Sequence, residues 1–253
     1  MTLEGIAENI ISDFLFVLIP LLFGWMFLVF THRVQLLKFF GVYNSRRIVI
    51  YLSNLIISPG SASGVNNKQW GYHGPAVPFY ELPVANHLQG LFNYLLPSFS
   101  DGSSILRKLL ISDVQVQLMP SPHEQGQPEQ LTSFITLGSP MYNTISCFVE
   151  SGLHSKVQFQ EDARAILVEA VPPITDTSYG FIERIVDRER KRSIFYAAGL
   201  AKLGTAGAAH FLATEWKRLN RKYGDNTNFV VMLRFDTEDD RRWSIVFEQA
   251  FEK

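Results

Sequence analysis

The sequence predicts an α/β protein in which one N-terminal transmembrane helix precedes a domain with a mostly parallel sheet. An uncharged apolar run, FLFVLIPLLFGWMFLVF, covers residues 14–30. Three further apolar runs, RRIVIYLSNLII, LTSFITLG and IFYAAG, lack polar alternation, which is typical of strands buried on both faces of a parallel sheet. Helix-like segments separate these runs, and strands that alternate with helices favour an α/β sandwich.

The composition fits one domain, residues 45–253, on an anchor formed by residues 1–44. A chain of 253 residues that is 47% hydrophobic can bury one sizeable core. The net charge of -1 gives no electrostatic indication of nucleic-acid binding, so we expect no nucleic-acid partner. Cys147 is the only cysteine, which excludes an internal disulfide and fits a reducing compartment.

The apolar run has the length of a membrane span. About 20 apolar residues in a helix cross a hydrocarbon core of roughly 30 Å. Between Ile10 and Thr31 the only charged residue is Asp13. A signal peptide is disfavoured because the preceding residues are acidic and no small-residue cleavage site follows. A helix buried in a globular core is the other alternative, but such a helix is seldom apolar on every face.

The basic residues around the span predict its orientation. No lysine or arginine precedes it, whereas four follow closely: Arg33, Lys38, Arg46 and Arg47. The positive-inside rule then places the N-terminus outside and the domain in the cytoplasm. We therefore expect a single-pass protein of the inner (cell) membrane, with the lipid bilayer as a partner.

The elements of the domain follow in order along the chain. The first strand covers residues 48–57, a helix covers 84–96, and a second strand at 131–138 leads into another helix. KVQFQ and AILVEAV are short strands that could form a hairpin, and ERIVDRERKR is most simply a charged surface helix. IFYAAG is a third buried strand, and the helix after it ends at Gly224. NFVVMLRFD and WSIVFEQA close the chain as antiparallel edge strands.

Three loops rich in small and hydroxyl residues follow the three buried strands: SPGSASG, GSPMYN and GLAKLGTAG. The carboxyl ends of parallel strands are where open α/β sheets bind ligands, so a Rossmann-like three-layer domain would bring these loops to one crevice. Backbone N–H groups there could hold a phosphate or a ribose oxygen. The predicted ligand-binding residues are Ser58, Gly60, Ser61, Gly138, Ser139, Asn143, Gly199, Lys202, Gly204 and Thr205.

Packing and capping offer another explanation for the same residues. Ser139 could be a helix N-cap with Pro140 at the first helical position, and Thr205 could cap the following helix. Gly207 more simply lets that helix approach the sheet, and Lys202 could be a solvated side chain instead of a phosphate ligand. The last loop is not a P-loop, since Thr205 stands where that motif requires lysine.

Glu81 is the candidate catalytic residue. It lies in PFYELPVANHL, after the first loop and before a helix, where a carboxylate could bind ribose hydroxyls or attack an N-glycosidic carbon. An acid in the first turn of a helix is also favoured by the helix dipole alone. The six histidines are scattered and Cys147 has no cysteine partner, so we expect neither a metal site nor a cofactor.

The anchor together with LGSPMYN and AGLAKLGTAGAAHFL resembles bacterial membrane-associated nucleotide-sensing or effector proteins of phage-defence type. This resemblance implies a nucleotide-like small-molecule ligand and a homo-oligomer that assembles at the membrane. The chain is also similar to the TIR and nucleoside deoxyribosyltransferase group, in which a glutamate before a helix attacks or steadies a ribosyl carbon. That second resemblance implies an N-glycosidic hydrolase or transferase that uses Glu81.

Overall fold

A computed structural model describes residues 3–43, 45, 47–57, 74–93, 114–120, 128, 132–153, 155–160, 164–169, 171–236 and 239–251. The helices are α1 (Leu3–Phe39), α2 (Glu81–Asn93), α3 (Thr144–Gly152) and α4 (Lys202–Tyr223). The strands are β1 (Arg47–Leu52), β2 (Leu55–Ile57), β3 (Gly74–Ala76), β4 (Gln115–Pro120), β5 (Ser133–Leu137), β6 (Val157–Phe159), β7 (Ile166–Val168), β8 (Val171–Ile174), β9 (Tyr179–Asp187), β10 (Arg192–Gly199), β11 (Asn228–Asp236) and β12 (Asp239–Phe251).

Seven strands form one mixed sheet in the order β12-β11-β9-β10-β5-β1-β4. Strands β4, β1, β5 and β10 are parallel to one another. Strands β9, β11 and β12 complete the sheet through antiparallel pairs. The α/β class, the N-terminal apolar helix and the antiparallel C-terminal pair are confirmed, but the sheet is less parallel than expected.

The difference comes from β9, which the sequence analysis wrongly assigned to a charged surface helix. Within Tyr179–Asp187, all residues from Gly180 onward are buried, including Glu183 and Arg184. Alternation along the strand sends these two charges to opposite faces of the sheet, where each finds polar partners. The charged residues of this segment therefore led to its assignment as a surface helix, although it is a central strand.

Both faces of the seven-stranded sheet are covered. The end of α1 packs on one face with α2 and α4, in a cluster that includes Leu88 and Phe211. On the other face lie α3 and the small sheet β6-β7-β8, represented by Val149 and Ile166. Double coverage explains why the β5 and β10 sequences are apolar without alternation.

Helix α1 changes its environment along its length. Its segment Phe16–Phe39 is apolar and long enough to cross a membrane, with a mean hydropathy of 1.7. Within that segment Phe16 is 81% exposed and Leu28 is 67% exposed, whereas Leu36 and Phe39 are fully buried in the domain core. One unbroken helix therefore runs from the exposed apolar stretch into the core. The domain boundary at residue 44 stays a prediction, since the last two turns of α1 pack with the domain.

The end of α1 is held by aromatic rings and by a buried arginine. The Phe40 ring centroid lies 4.8 Å from that of Phe195 on β10. The Arg184 guanidinium lies 5.0 Å from the ring centroids of both Phe39 and Phe229. It also donates hydrogen bonds to the carbonyls of the loop between α4 and β11, including one of 2.9 Å to Gly224. Burial lowers the pKa of Arg184 to about 10, which leaves it charged at neutral pH.

Replacing Phe40, directly after the end of α1, should destabilise the domain far more than replacing Phe16 in the exposed part of α1. Phe40→Ala would open a cavity in the core and cost about 3–5 kcal/mol of unfolding free energy. Phe16 is 81% exposed, so Phe16→Ala should leave the stability of the domain unchanged. Tryptophan fluorescence during urea unfolding of the full chain in nanodiscs measures both. Equal effects of the two substitutions would show that α1 is not part of the core.

Candidate functional site

The candidate site lies at the carboxyl ends of the neighbouring parallel strands β1 and β5. The helix that follows β1, α2, lies on the face of the sheet that carries α4. The helix that follows β5, α3, lies on the opposite face. Helices that leave adjacent strands in opposite directions open a crevice at the strand ends, which is the usual ligand position in such sheets.

Glu81 is the first residue of α2 and reaches this edge of the sheet. Its side chain is buried, and its Oε2 accepts a 2.8 Å hydrogen bond from the backbone N–H of Ser53. Within the described part of the chain, its Oε1 has no hydrogen-bond partner. Burial raises the pKa of Glu81 to about 7, although the hydrogen bonds from Ser53 oppose the rise. The carboxyl group therefore titrates near neutral pH and has one buried oxygen without a hydrogen-bond partner among the described residues.

Gly138, directly after β5, brings the backbone close to Glu81. Its φ of +89° is in the left-handed region, which glycine adopts without strain. A Cβ at this position would overlap the Ser53 hydroxyl and lie 3.1 Å from Oε1 of Glu81. The Gly138 N–H also donates a 3.1 Å hydrogen bond to the carbonyl of Ala197 on β10. Gly138 is thus a predicted ligand residue that lies directly beside Glu81.

Asn143 acts as the N-cap of α3. Its Oδ1 accepts hydrogen bonds from the backbone N–H groups of Ile145 and Ser146, at 3.0 and 3.3 Å. Its Nδ2 donates to the carbonyls of Leu137, at 2.7 Å, and of Tyr51, at 3.4 Å. The Asn143 side chain thereby ties the end of β5 to the end of β1. Both the oxygen and the nitrogen of the Asn143 side-chain amide thus already form hydrogen bonds within the protein. A ligand contact at Asn143 stays a prediction.

Ser139 does not cap α3, because the helix begins only at Thr144. The chain instead makes a turn in which the Ser139 carbonyl accepts from the N–H groups of Tyr142 and Asn143. The expectation of Ser139 as an N-cap with Pro140 at the first helical position is therefore wrong. Ser139 is half-buried near the crevice, and its contact with a ligand remains a prediction.

Gly199 and Gly204 of the third loop lie where backbone segments pack directly against each other. A Cβ on Gly199 would overlap Gly204, and a Cβ on Gly204 would overlap the Tyr179 carbonyl. The start of α4 thus packs directly on the ends of β9 and β10. Gly207 likewise faces the ring of Phe235, as expected for a residue that serves packing.

Thr205 and Lys202 have different surroundings in this loop. Thr205 lies inside α4 and not at its N-cap, which is Ala201; its hydroxyl accepts a 3.2 Å hydrogen bond from the Gly199 N–H. The predicted capping role of Thr205 is therefore wrong. Lys202 is exposed at the first position of α4. Ligand contacts at Gly199, Lys202, Gly204 and Thr205 stay predictions, and those at Ser58, Gly60 and Ser61 lie outside the described residues.

A buried acidic cluster on the other face was missed by the sequence analysis. The Tyr196 hydroxyl donates a 2.7 Å hydrogen bond to Glu150 on α3. Glu183 on β9 accepts hydrogen bonds from the Ser155 hydroxyl and, at 2.7 Å, from the Lys156 backbone N–H. Burial raises the pKa of each of the two carboxyl groups to about 7. No local pattern in YGFIERIVD identifies the strand that carries Glu183, because its charged residues Glu183 and Arg184 are adjacent and do not alternate with apolar ones.

The chain matches no protein-family model, no curated protein and no solved structure. The distinguishing features of the candidate site are the buried carboxyl group of Glu81 and the close approach of the Gly138 backbone at the ends of two parallel strands.

The raised pKa of Glu81 predicts how it affects stability as pH changes. Between its ordinary value of 4.5 and about 7, the folded chain keeps a proton on Glu81 that the unfolded chain has lost. The unfolding free energy must then fall as pH rises through this window, by up to about 3 kcal/mol from this group. Glu81→Gln, which cannot ionise, should remove this contribution.

Urea unfolding of wild type and Glu81→Gln at several values between pH 4.5 and 8 isolates the contribution. The stability of the wild type relative to the variant should decrease up to about pH 7 and then level off. Glu150 and Glu183 titrate in the same window, but they are present in both proteins and cancel in the difference. A difference that does not change with pH, or that increases, would contradict the assignment.

Proposed function

We propose that this chain is a single-pass membrane protein whose Rossmann-like domain binds a nucleotide-like ligand in the crevice between β1 and β5. The observation that carries the proposal is the free Oε1 of buried Glu81, which faces Gly138 at that crevice, within the described residues. A carboxylate at the strand ends of an α/β sheet is suited to accept hydrogen bonds from ribose hydroxyls. A ligand bound at this position would contact the ends of both β1 and β5.

The membrane part of the proposal is supported by the exposed apolar surface of α1. Phe16, Phe23 and Phe27 are each more than 60% exposed, which is costly in water and favourable in lipid. Basic residues follow the span and none precedes it, so we propose an N-terminus outside and a cytoplasmic domain at the inner membrane.

Ligand binding would control self-assembly at the membrane. Support comes from strand β5, which contacts both ends of the domain. At its start, the Ser133 hydroxyl donates a 2.9 Å hydrogen bond to the Gly41 carbonyl, just after α1. At its end, Gly138 lies beside Glu81. A ligand that displaces the end of β5 therefore acts on a strand that also contacts the anchor. A role as an effector in anti-phage defence belongs to this proposal and depends on the resemblance alone.

A second candidate function is N-glycosidic cleavage or transfer, with Glu81 as nucleophile or general base. The observation in its favour is the pKa of Glu81 of about 7. A general base is most effective when its pKa lies close to the working pH. The two candidates share the crevice and differ in whether the ligand leaves it unchanged.

Thermal unfolding of the full chain in nanodiscs, in the presence of mono-, di- and cyclic nucleotides and of NAD, tests both. A ligand at about 100 times its Kd should stabilise the fold by about 2.7 kcal/mol. Glu81→Gln should abolish this stabilisation, whereas the control Glu169→Gln, whose side chain is 75% exposed, should keep it.

Analysis of the recovered ligand then separates the two candidates. An unchanged ligand supports a sensor, and cleavage by wild type but not by Glu81→Gln supports the enzyme. If no nucleotide raises the melting temperature, or if Glu81→Gln responds like the wild type, the proposed site is wrong.

A further inference from the structure

A second concave site lies at the amino edge of the sheet, where α1 ends. It is a cleft of about 610 Å³ between the end of α1, the turn from β9 to β10 and the loop after α4. This volume lies within the range of small-molecule sites. Glu81 is at the carboxyl ends of the parallel strands, so the two sites are at opposite edges of the sheet and the cleft is independent of the proposed function.

The cleft carries more basic than acidic side chains. Its charged lining residues are Lys38, Arg188, Lys191 and Arg192, with the acids Asp187 and Asp225. Asp187 is already paired, because its carboxylate accepts hydrogen bonds from Arg192 at 3.1 Å and from Arg190 at 3.0 Å. Asp225 raises the pKa of the buried Arg184, which opposes the effect of desolvation there. Asp187 is therefore paired, whereas Asp225 interacts with Arg184 through space without an ion pair between these two described residues.

Three cationic side chains of the cleft, those of Lys38, Arg188 and Lys191, form no ion pair among the described residues. Among the described residues, neither Arg188 nor Lys191 forms an ion pair, and Lys38 contacts the Tyr43 ring with its Nζ 5.7 Å from the centroid. Lys191 has a φ of +51°, which is uncommon for a residue other than glycine and holds it at the tip of the turn. Like charges brought together in a cleft repel one another, and an anion between them removes that repulsion.

We propose that this cleft binds a phosphate-bearing anion through Lys38, Arg188 and Lys191. Guanidinium and ammonium groups are the side-chain donors that bind phosphate oxygens, and the cleft is lined by one arginine and two lysines without an ion pair among the described residues. The phosphate could belong to an anionic phospholipid or to a free compound. Lys38 lies eight residues after Phe30, about 12 Å along the helix from the exposed apolar stretch. The headgroup layer is about 5–8 Å thick on each side, so Lys38 lies about one helical turn beyond it, a gap that its long side chain can span.

The test uses the full chain with two paired substitutions. Arg188→Gln with Lys191→Gln removes two cations from the cleft, and both side chains are exposed, so the fold should be preserved. Arg241→Gln with Arg242→Gln removes the same charge from exposed positions near the start of β12, at the other edge of the sheet. Equal melting temperatures of the two variants and the wild type verify that folding is intact.

The first arm titrates inorganic phosphate and pyrophosphate into detergent-solubilised protein by calorimetry. The second arm measures phosphatidylglycerol retained by the protein in native mass spectrometry, after release from nanodiscs of phosphatidylcholine with a minor share of phosphatidylglycerol. We expect the cleft variant to bind at least about tenfold more weakly than the control variant in one of the arms.

Loss in the first arm supports the site with a free phosphate compound, and loss in the second supports it with a lipid headgroup. If the cleft variant and the control variant bind equally in both arms, or if the wild type binds in neither, the proposal is overturned.

Discussion

The fold depends on the burial of the end of α1 in the domain core. Phe39 and Phe40 pack against Phe195 in the centre of the sheet, and Arg184 lies against Phe39 from β9. Removing the two phenylalanines would expose apolar surface and leave the buried guanidinium with Phe229 as its remaining aromatic neighbour. Because α1 enters the core without a break, the apolar segment and the domain share one helix, and no flexible linker separates them.

The end of α1 and Glu81 lie at opposite edges of the sheet. The amino edge receives the end of α1, together with the basic cleft around Arg188. The carboxyl edge carries Glu81 and Gly138 at the crevice between β1 and β5. Only the five residues of β5, a length of about 16 Å, separate the Gly41 contact from Gly138. Strand β5 therefore connects the two edges of the sheet directly.

Regular local patterns in the sequence predicted several helices and strands. Features that depend on contacts between residues distant in sequence could not be predicted in this way. The mostly apolar strands β5 and β10 and the long helix α4, which ends at Gly224, were predictable from the sequence. Burial on two faces and a helix end both leave local signals. The strand β9 was not predictable, since the partners that bury Glu183 are distant in sequence. Glu81 could be chosen from its place before a helix, but its unpaired oxygen and raised pKa come from packing against β1.

Hydrogen–deuterium exchange of the full chain in nanodiscs tests the continuity of α1 most directly. Residues 31–40 lead from the exposed apolar stretch into the core, so the exchange of their amides reports the stability of the connection. The account predicts that they exchange as slowly as those of β10, because both segments open only when the core unfolds. Exchange of residues 31–40 at the rate of an unstructured linker, while β10 stays protected, would contradict it.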